Sequence, residues 1–96
     1  MARRDEILGC HREAIRSAAT RNKATSIALV GSVARGSDGP DSDVDFVCEW
    51  APDASLFDAS GLLAELEELL GCSVEISSAR MLVPPYTSML DDAIRL

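Results

Sequence analysis

The chain has 96 residues, a formal net charge of −7 at pH 7 and 47% hydrophobic residues. We expect one domain, residues 1–96, with an aliphatic core, because only 4% of the residues are aromatic. An acidic surface repels phosphate backbones, so direct binding of nucleic acid is not expected. The sequence contains no apolar run of membrane-spanning length and no signal-peptide pattern, which predicts a cytoplasmic protein without a membrane partner.

The first predicted element is an amphipathic helix over residues 4–21, where apolar residues recur at steps of three and four. Its apolar stripe comprises Ile7, Leu8, His11, Ala14, Ile15 and Ala18. We interpret the basic cluster in this region as an ordinary solvated helix face; its members are Arg3, Arg4, Arg12 and Arg16. The apolar run at 26–30, which ends before Gly31, predicts a strand buried on both faces.

Residues 31–42 are rich in Gly, Ser and Asp, and they predict a turn, with at most one helical turn, followed by a loop. Residues 43–48 alternate between polar and apolar types, which predicts a second strand.

The clearest helix is predicted at 55–70, with Leu62 and Leu66 among the core residues of its apolar stripe. A third strand is predicted at 73–77 and a last short helix at 87–96. This order of elements predicts an α/β layer sandwich.

The three cysteines and the single histidine show no metal-binding pattern. Cys10, Cys48 and Cys72 are far apart and form no CxxC pair, so a zinc site is not expected. Cys10 precedes His11, but neighbours on a helix point in different directions and do not form a nucleophile–base pair. We interpret all three cysteines as small buried apolar residues in a reducing compartment.

Three carboxylates carry the strongest chemical signal. Residues two apart on a strand share a face, so Asp43 and Asp45 are expected to point together while Val44 points into the core. Glu75 joins them on one polar face if the third strand lies beside the second. Adjacent like charges are costly without a cation between them, and Mg²⁺ favours carboxylates together with substrate phosphates. The pattern therefore predicts a metal site built from Asp43, Asp45 and Glu75, with space for two ions.

The turn at Gly31 and Ser32 supplies the opposite half of the predicted site. It leaves a buried strand and enters a helical turn, so its backbone N–H groups can face an anion. Arg35 is interpreted either as a clamp on a triphosphate or as a structural pin for the loop. Gly36 permits the chain to turn back towards Ser42. Each feature alone is common in proteins, but their combination on consecutive elements favours a functional site.

The run Gly31-Ser32-Val33-Ala34-Arg35-Gly36, followed by Ser42-Asp43-Val44-Asp45, resembles the signature of the minimal nucleotidyltransferases of the DNA polymerase beta-like superfamily. The resemblance covers nearly the whole chain and implies that fold, a small mixed β-sheet flanked by helices. It implies ATP as substrate and Mg²⁺ as cofactor. The metal ligands would be Asp43, Asp45 and Glu75, and the nucleotide-binding residues would be Gly31, Ser32, Arg35, Gly36 and Ser42. Glu75 departs from the family pattern, in which an aspartate is usual at this position.

Members of this family look like antitoxins that are encoded beside a helical HEPN-type ribonuclease toxin, and some transfer AMP onto a tyrosine of that toxin. The resemblance implies the same activity, partner and hetero-oligomer here. The alternative is a domain that keeps the fold but neutralises its partner by contact alone. The intact Gly-Ser turn and the two aspartates favour the enzyme. Transfer to a small molecule is a third hypothesis, typical of relatives that carry an additional helical domain.

Overall fold

A computed structural model describes residues 3–37, 39, 43–78 and 93–96. In chain order the elements are α1 (Arg3–Glu6), a π-helical turn (Ile7–His11), α2 (Arg12–Arg21), β1 (Ala24–Val30), α3 (Gly31–Arg35), β2 (Val44–Trp50), α4 (Leu56–Leu70), β3 (Val74–Ser78) and β4 (Ile94–Arg95). The predicted mixed sheet flanked by helices is confirmed.

The four described strands lie in the order β3-β2-β1-β4. β1 pairs antiparallel with both β2 and β4, whereas β2 and β3 are parallel. A parallel pair needs a crossover connection, and α4 supplies it, since it joins β2 to β3. This crossover brings the starts of β2 and β3 to the same end of the sheet.

The N-terminal helical stretch agrees with the predicted helix at 4–21, but it contains a π-helical turn that the sequence did not predict. A π turn takes up about one extra residue per turn. The extra residue brings Ile7 onto the same buried face as Ile15, eight positions later. Ala14, which was assigned to the apolar stripe, is exposed instead.

The core lies between one face of the sheet and the helices. Val44, Phe46 and Cys48 of β2 are fully buried there, because alternate residues of a strand share a face. Leu62 and Leu66 of α4 are fully buried in the same cluster, which confirms both as core residues.

Local signals at both ends fix the position of α4. The Ser55 backbone N–H donates to Asp58 Oδ2 at 2.8 Å, as part of a capping box. At the other end, Gly71 adopts a left-handed conformation with φ of 67° and its N–H donates to the Glu67 carbonyl at 2.8 Å. The helix therefore presents the same buried stripe as the sequence predicted.

The predicted helix at 87–96 is wrong at its end. Ile94 and Arg95 form β4, paired with Leu29 and Ala28 of β1, and the Leu96 N–H donates to the Ile27 carbonyl at 3.0 Å. Strand pairing satisfies backbone groups of β1 that a helix would leave unpaired. The side chains follow a strand alternation, since Arg95 is exposed and Leu96 is buried. Residues 87–92 of the predicted helix lie outside the described residues.

The expectation of three buried cysteines holds for only one of them. Cys48 is buried, and desolvation raises the pKa of its thiol to about 12. Cys72 is partly buried, and Cys10, on the solvent side of the π-helical turn, is exposed. The expectation for Cys10 rested on residue type, since free cysteines are usually buried, and it is wrong for this position in the π-helical turn.

Among the helices of the described ranges, none combines the length and apolar character that crossing a membrane requires.

We expect Leu66→Ala to lower the free energy of unfolding by about 2–5 kcal/mol, because truncation leaves a cavity at a fully buried position. Leu56→Ala is the matched control on the same helix, since Leu56 is 82% exposed, and it should change that free energy by no more than about 0.5 kcal/mol. Urea unfolding followed by circular dichroism measures both. Equal losses in the two variants would contradict this assignment of the core.

Candidate functional site

The site forms where three strands meet at one end of the sheet. Asp45 of β2 pairs with Val30, the last residue of β1, on one side and with Glu75 of β3 on the other. Gly31 follows Val30 directly and begins α3. The register of the sheet therefore brings the predicted turn and two of the predicted carboxylates to a single point.

Side chains alternate between the two faces of β2, so the carboxylate of the site lies on the face away from the core. Val44 and Phe46 are fully buried on the helix side, whereas Asp45 is partly buried and points to the other face. Asp43 lies one residue before the strand, which begins at Val44 rather than at the predicted residue 43, and it is exposed, as is Glu75. The third strand begins at Val74, one residue after the predicted start.

The carboxylates are close enough to interact. Partial burial raises the pKa of Asp45 above its ordinary value of 3.8, and the charge of Glu75, a hydrogen bond with Glu75 and the charge of Asp43 raise it further. The guanidinium of Arg35 acts in the opposite direction on the pKa of Asp45. Negative charge is therefore concentrated around Asp45, and a cation bound there would relieve the repulsion.

The donor set suits a metal ion that is shared with a substrate. Across the described ranges, no three His, Cys, Asp or Glu side chains form a preassembled metal cluster. Mg²⁺ does not need one, since it commonly binds through one or two carboxylates together with waters and substrate phosphates. Asp45 and Glu75 provide such a pair, and Asp43 lies near enough to act on the pKa of Asp45. The roles of the three residues as metal ligands stay predictions.

Gly31 is required by two independent features of the fold. Its φ of 76° lies in the left-handed region that side chains disfavour. A Cβ atom at this position would also lie 2.5 Å from Asp45 Oδ2, which is closer than nonbonded atoms approach. The sequence associated Gly31 with the approach of phosphates, and the structure shows that the glycine also makes room for the Asp45 carboxylate.

The predicted helical turn is confirmed as α3, and hydrogen bonds close its end. Gly36 has a φ of 73°; its N–H donates to the Val33 carbonyl at 3.0 Å, and the Ser37 N–H donates to the Ser32 carbonyl at 2.9 Å. This pair of bonds is a Schellman motif. Ser32 is partly buried and Arg35 is exposed. Ser42 lies outside the described residues.

Sequence reasoning missed one residue of this region. Arg4 was interpreted as part of a solvated helix face, but it is partly buried and its Nη1 donates to the Ala34 carbonyl at 3.4 Å, at the end of α3. Thirty positions separate the two residues, so no local pattern could have revealed the contact. Arg12 also has a partner, since its Nη2 donates to the Arg95 carbonyl at 2.7 Å.

Gly31→Ala should lower the free energy of unfolding by about 1–3 kcal/mol, because it strains a left-handed position and places a methyl group against the Asp45 carboxylate. Gly9→Ala is the matched control, since nothing lies within 4 Å of its Cβ position. That variant should be neutral or more stable, because alanine favours helical backbone. Urea unfolding measures both, and equal stability of the Gly31→Ala protein and the parent would contradict the close approach.

Asp45→Asn should raise the free energy of unfolding at pH 7 in metal-free buffer. The pKa of Asp45 is raised in the folded state, so the folded protein holds this proton more tightly than the unfolded chain does. The contribution of Asp45 to stability is therefore present at low pH and is lost as the pH rises from about 4 through the raised pKa. The Asp45→Asn variant should not lose stability in this pH range through this group, because asparagine does not ionise.

Thermal unfolding of parent and Asp45→Asn proteins between about pH 4 and about pH 8 measures this difference. Added Mg²⁺ should stabilise the parent more than the variant, because a ligand stabilises only the folded form that binds it. A variant less stable than the parent at pH 7 without metal would show that the charge of Asp45 is favourable in the fold.

Comparisons with known proteins agree with this geometry. A family model described as a nucleotidyltransferase domain matches residues 11–93. A protein of Methanocaldococcus jannaschii, provisionally named a protein adenylyltransferase, is 32% identical over 83 residues, which cover 84% of this chain and 80% of the relative.

Two solved structures extend the comparison. One, described provisionally as a minimal nucleotidyltransferase, is 39% identical with a TM-score of 0.83, covering 95% of this chain and 94% of the other. A toxin–antitoxin structure with AMP-PNP shares the fold at 19% identity and a TM-score of 0.72, covering 88% of this chain and 71% of the other. The fold, the family model and these similarities together show that the chain belongs to the nucleotidyltransferase domain family, as a minimal nucleotidyltransferase.

Proposed function

We propose that this protein transfers AMP from ATP onto a partner protein in a Mg²⁺-dependent reaction, and that the partner is a HEPN-type toxin that it silences as an antitoxin. The observation that carries the proposal is the placement of Asp45 directly beside the Gly31 turn, with Glu75 next to Asp45 on the neighbouring strand β3. The name of the relative as a protein adenylyltransferase and the fold shared with a toxin–antitoxin structure support it.

In this proposal the turn and α3 hold the phosphates of ATP. The first N–H groups of a helix have no acceptor within the helix and can bind an anion. The turn at Gly31 and Ser32 presents such groups beside the carboxylates. Arg35 adds positive charge at the same place, since its guanidinium acts on the pKa of Asp45. Gly36 closes the turn, and Ser42 completes the proposed nucleotide-binding set.

The carboxylates hold the metal and face the acceptor. Bound Mg²⁺ would supply charge neutralisation at the phosphates and lower the pKa of the acceptor hydroxyl. Asp45, fixed between two strands, is the inner ligand in this assignment, and the exposed Asp43 and Glu75 lie beside it. The acceptor oxygen bonds to the α-phosphorus of ATP, the bond to pyrophosphate breaks, and the hydroxyl proton leaves to a carboxylate or water.

Neutralisation by contact alone is the second candidate function. It requires only a surface that binds the partner, and Leu56 and Phe57 at the start of α4, which are 82% and 87% exposed, offer one. Adjacent large apolar side chains at the surface are a usual feature of protein interfaces. Glu75 in place of the aspartate usual for the family also agrees with this candidate.

The deciding experiment incubates the protein with Mg²⁺, ATP labelled on the α-phosphate and the protein encoded by the neighbouring gene. We expect label on the neighbouring protein. The Asp43→Asn/Asp45→Asn variant should transfer AMP at least about a hundredfold more slowly, because an enzyme that cannot position the metal loses the main electrostatic stabilisation of the transition state. Asp53→Asn is the matched control, since Asp53 is an exposed aspartate paired with Lys23 away from the site.

Transfer that persists in the double variant would contradict the metal assignment. A tight complex without any label would favour neutralisation by contact. Glu75→Gln tests the third carboxylate separately, and an unchanged transfer rate would show that Glu75 is only a surface residue of β3.

A further inference from the structure

α3 is too short to hold its own position. It spans five residues, and isolated helices shorter than about 12 residues are marginal in water. Its first residue borders the Asp45 carboxylate, so any displacement of α3 changes the geometry between the turn and the carboxylates. Contacts from outside the helix must therefore contribute to its placement.

One such contact comes from the N-terminal helix. The Schellman motif at Gly36 and Ser37 satisfies the carbonyls of Val33 and Ser32. The carbonyl of Ala34, which is also in the last turn of α3, accepts a hydrogen bond at 3.4 Å from Nη1 of Arg4. A side chain of α1 thus satisfies one carbonyl of the last turn of α3.

The charge of an arginine suits this place. The C-terminal end of a helix carries partial negative charge, which a cation stabilises. The guanidinium lies close to Gly36: a Cβ atom there would be in ordinary van der Waals contact with Arg4, 3.5 Å from Nη1 and 3.6 Å from Cζ. Arg16, by contrast, is an exposed arginine of α2 that pairs with Glu13 of the same helix at 3.6 Å.

We propose that Arg4 is a positioning residue of the nucleotide site: it fixes the C-terminal end of α3, so that Gly31 and Ser32 stay in register with Asp45. The link to nucleotide binding rests on the proposed function, whereas the fixing of α3 does not. Arg4 does not contact the substrate in this proposal; it acts through the backbone of α3.

Hydrogen exchange tests the fixing of α3 directly. We expect Arg4→Met to speed the exchange of the Gly36 and Ser37 amides by about tenfold, which corresponds to about 1.4 kcal/mol, with α4 and the strands unaffected. Arg4→Lys keeps the charge and should restore part of the protection. Arg16→Met is the matched control and should leave both amides unchanged. Unchanged amides in Arg4→Met, or equally faster exchange throughout the chain, would overturn the proposal.

Calorimetric titration with ATP and Mg²⁺ tests the link to the nucleotide site. Arg4→Met should raise the Kd for ATP by about tenfold with a thermal midpoint within a few degrees of the parent, and Arg4→Lys should lie between them. Faster exchange at Gly36 with an unchanged Kd would overturn the link. Absence of ATP binding by the parent would instead refute the proposed function, and the exchange experiment would still decide the role of Arg4 in fixing α3.

Discussion

The antiparallel register of β1 and β2 determines the geometry of the whole site. Because Val30 pairs with Asp45, the turn that follows β1 must begin beside that carboxylate, and only a glycine fits there. A slip of one residue would move Asp45 to the buried face and expose Val44 or Phe46 instead. The apolar residues of β2 thus fix the register, and the register fixes the site.

The negative charge concentrated at the site lowers the stability of the fold. Burial and neighbouring carboxylates raise the pKa of Asp45, so its ionised form is unfavourable in the free protein. The fully buried layer of β2 and α4, with Phe46, Leu62 and Leu66, supplies the stability that offsets this repulsion. Strand pairing on both sides of Asp45 keeps the charges together although they repel.

Much of this arrangement follows from local sequence patterns. Alternation in β2 and β3 predicted which side chains share a face, and it placed Glu75 beside Asp45 once the two strands paired. The apolar stripe of leucines and the helix-ending Gly71 predicted α4. The π-helical turn and β4 could not be predicted in this way, because a turn with one extra residue has no clear residue signature and β4 depends on an open edge of β1. The contact between Arg4 and Ala34 is tertiary and has no local signal.

The close approach of Gly31 to Asp45 also constrains how this domain can change in evolution. While the carboxylate is present, a side chain at position 31 would displace it, because a Cβ atom would lie 2.5 Å from Asp45 Oδ2. Once the carboxylate is lost, only the positive φ of Gly31 remains as a constraint, and asparagine tolerates that conformation better than most residues. Substitutions at the two positions should therefore be ordered in time. A residue other than glycine at position 31 is therefore expected only in relatives that have already lost the aspartate.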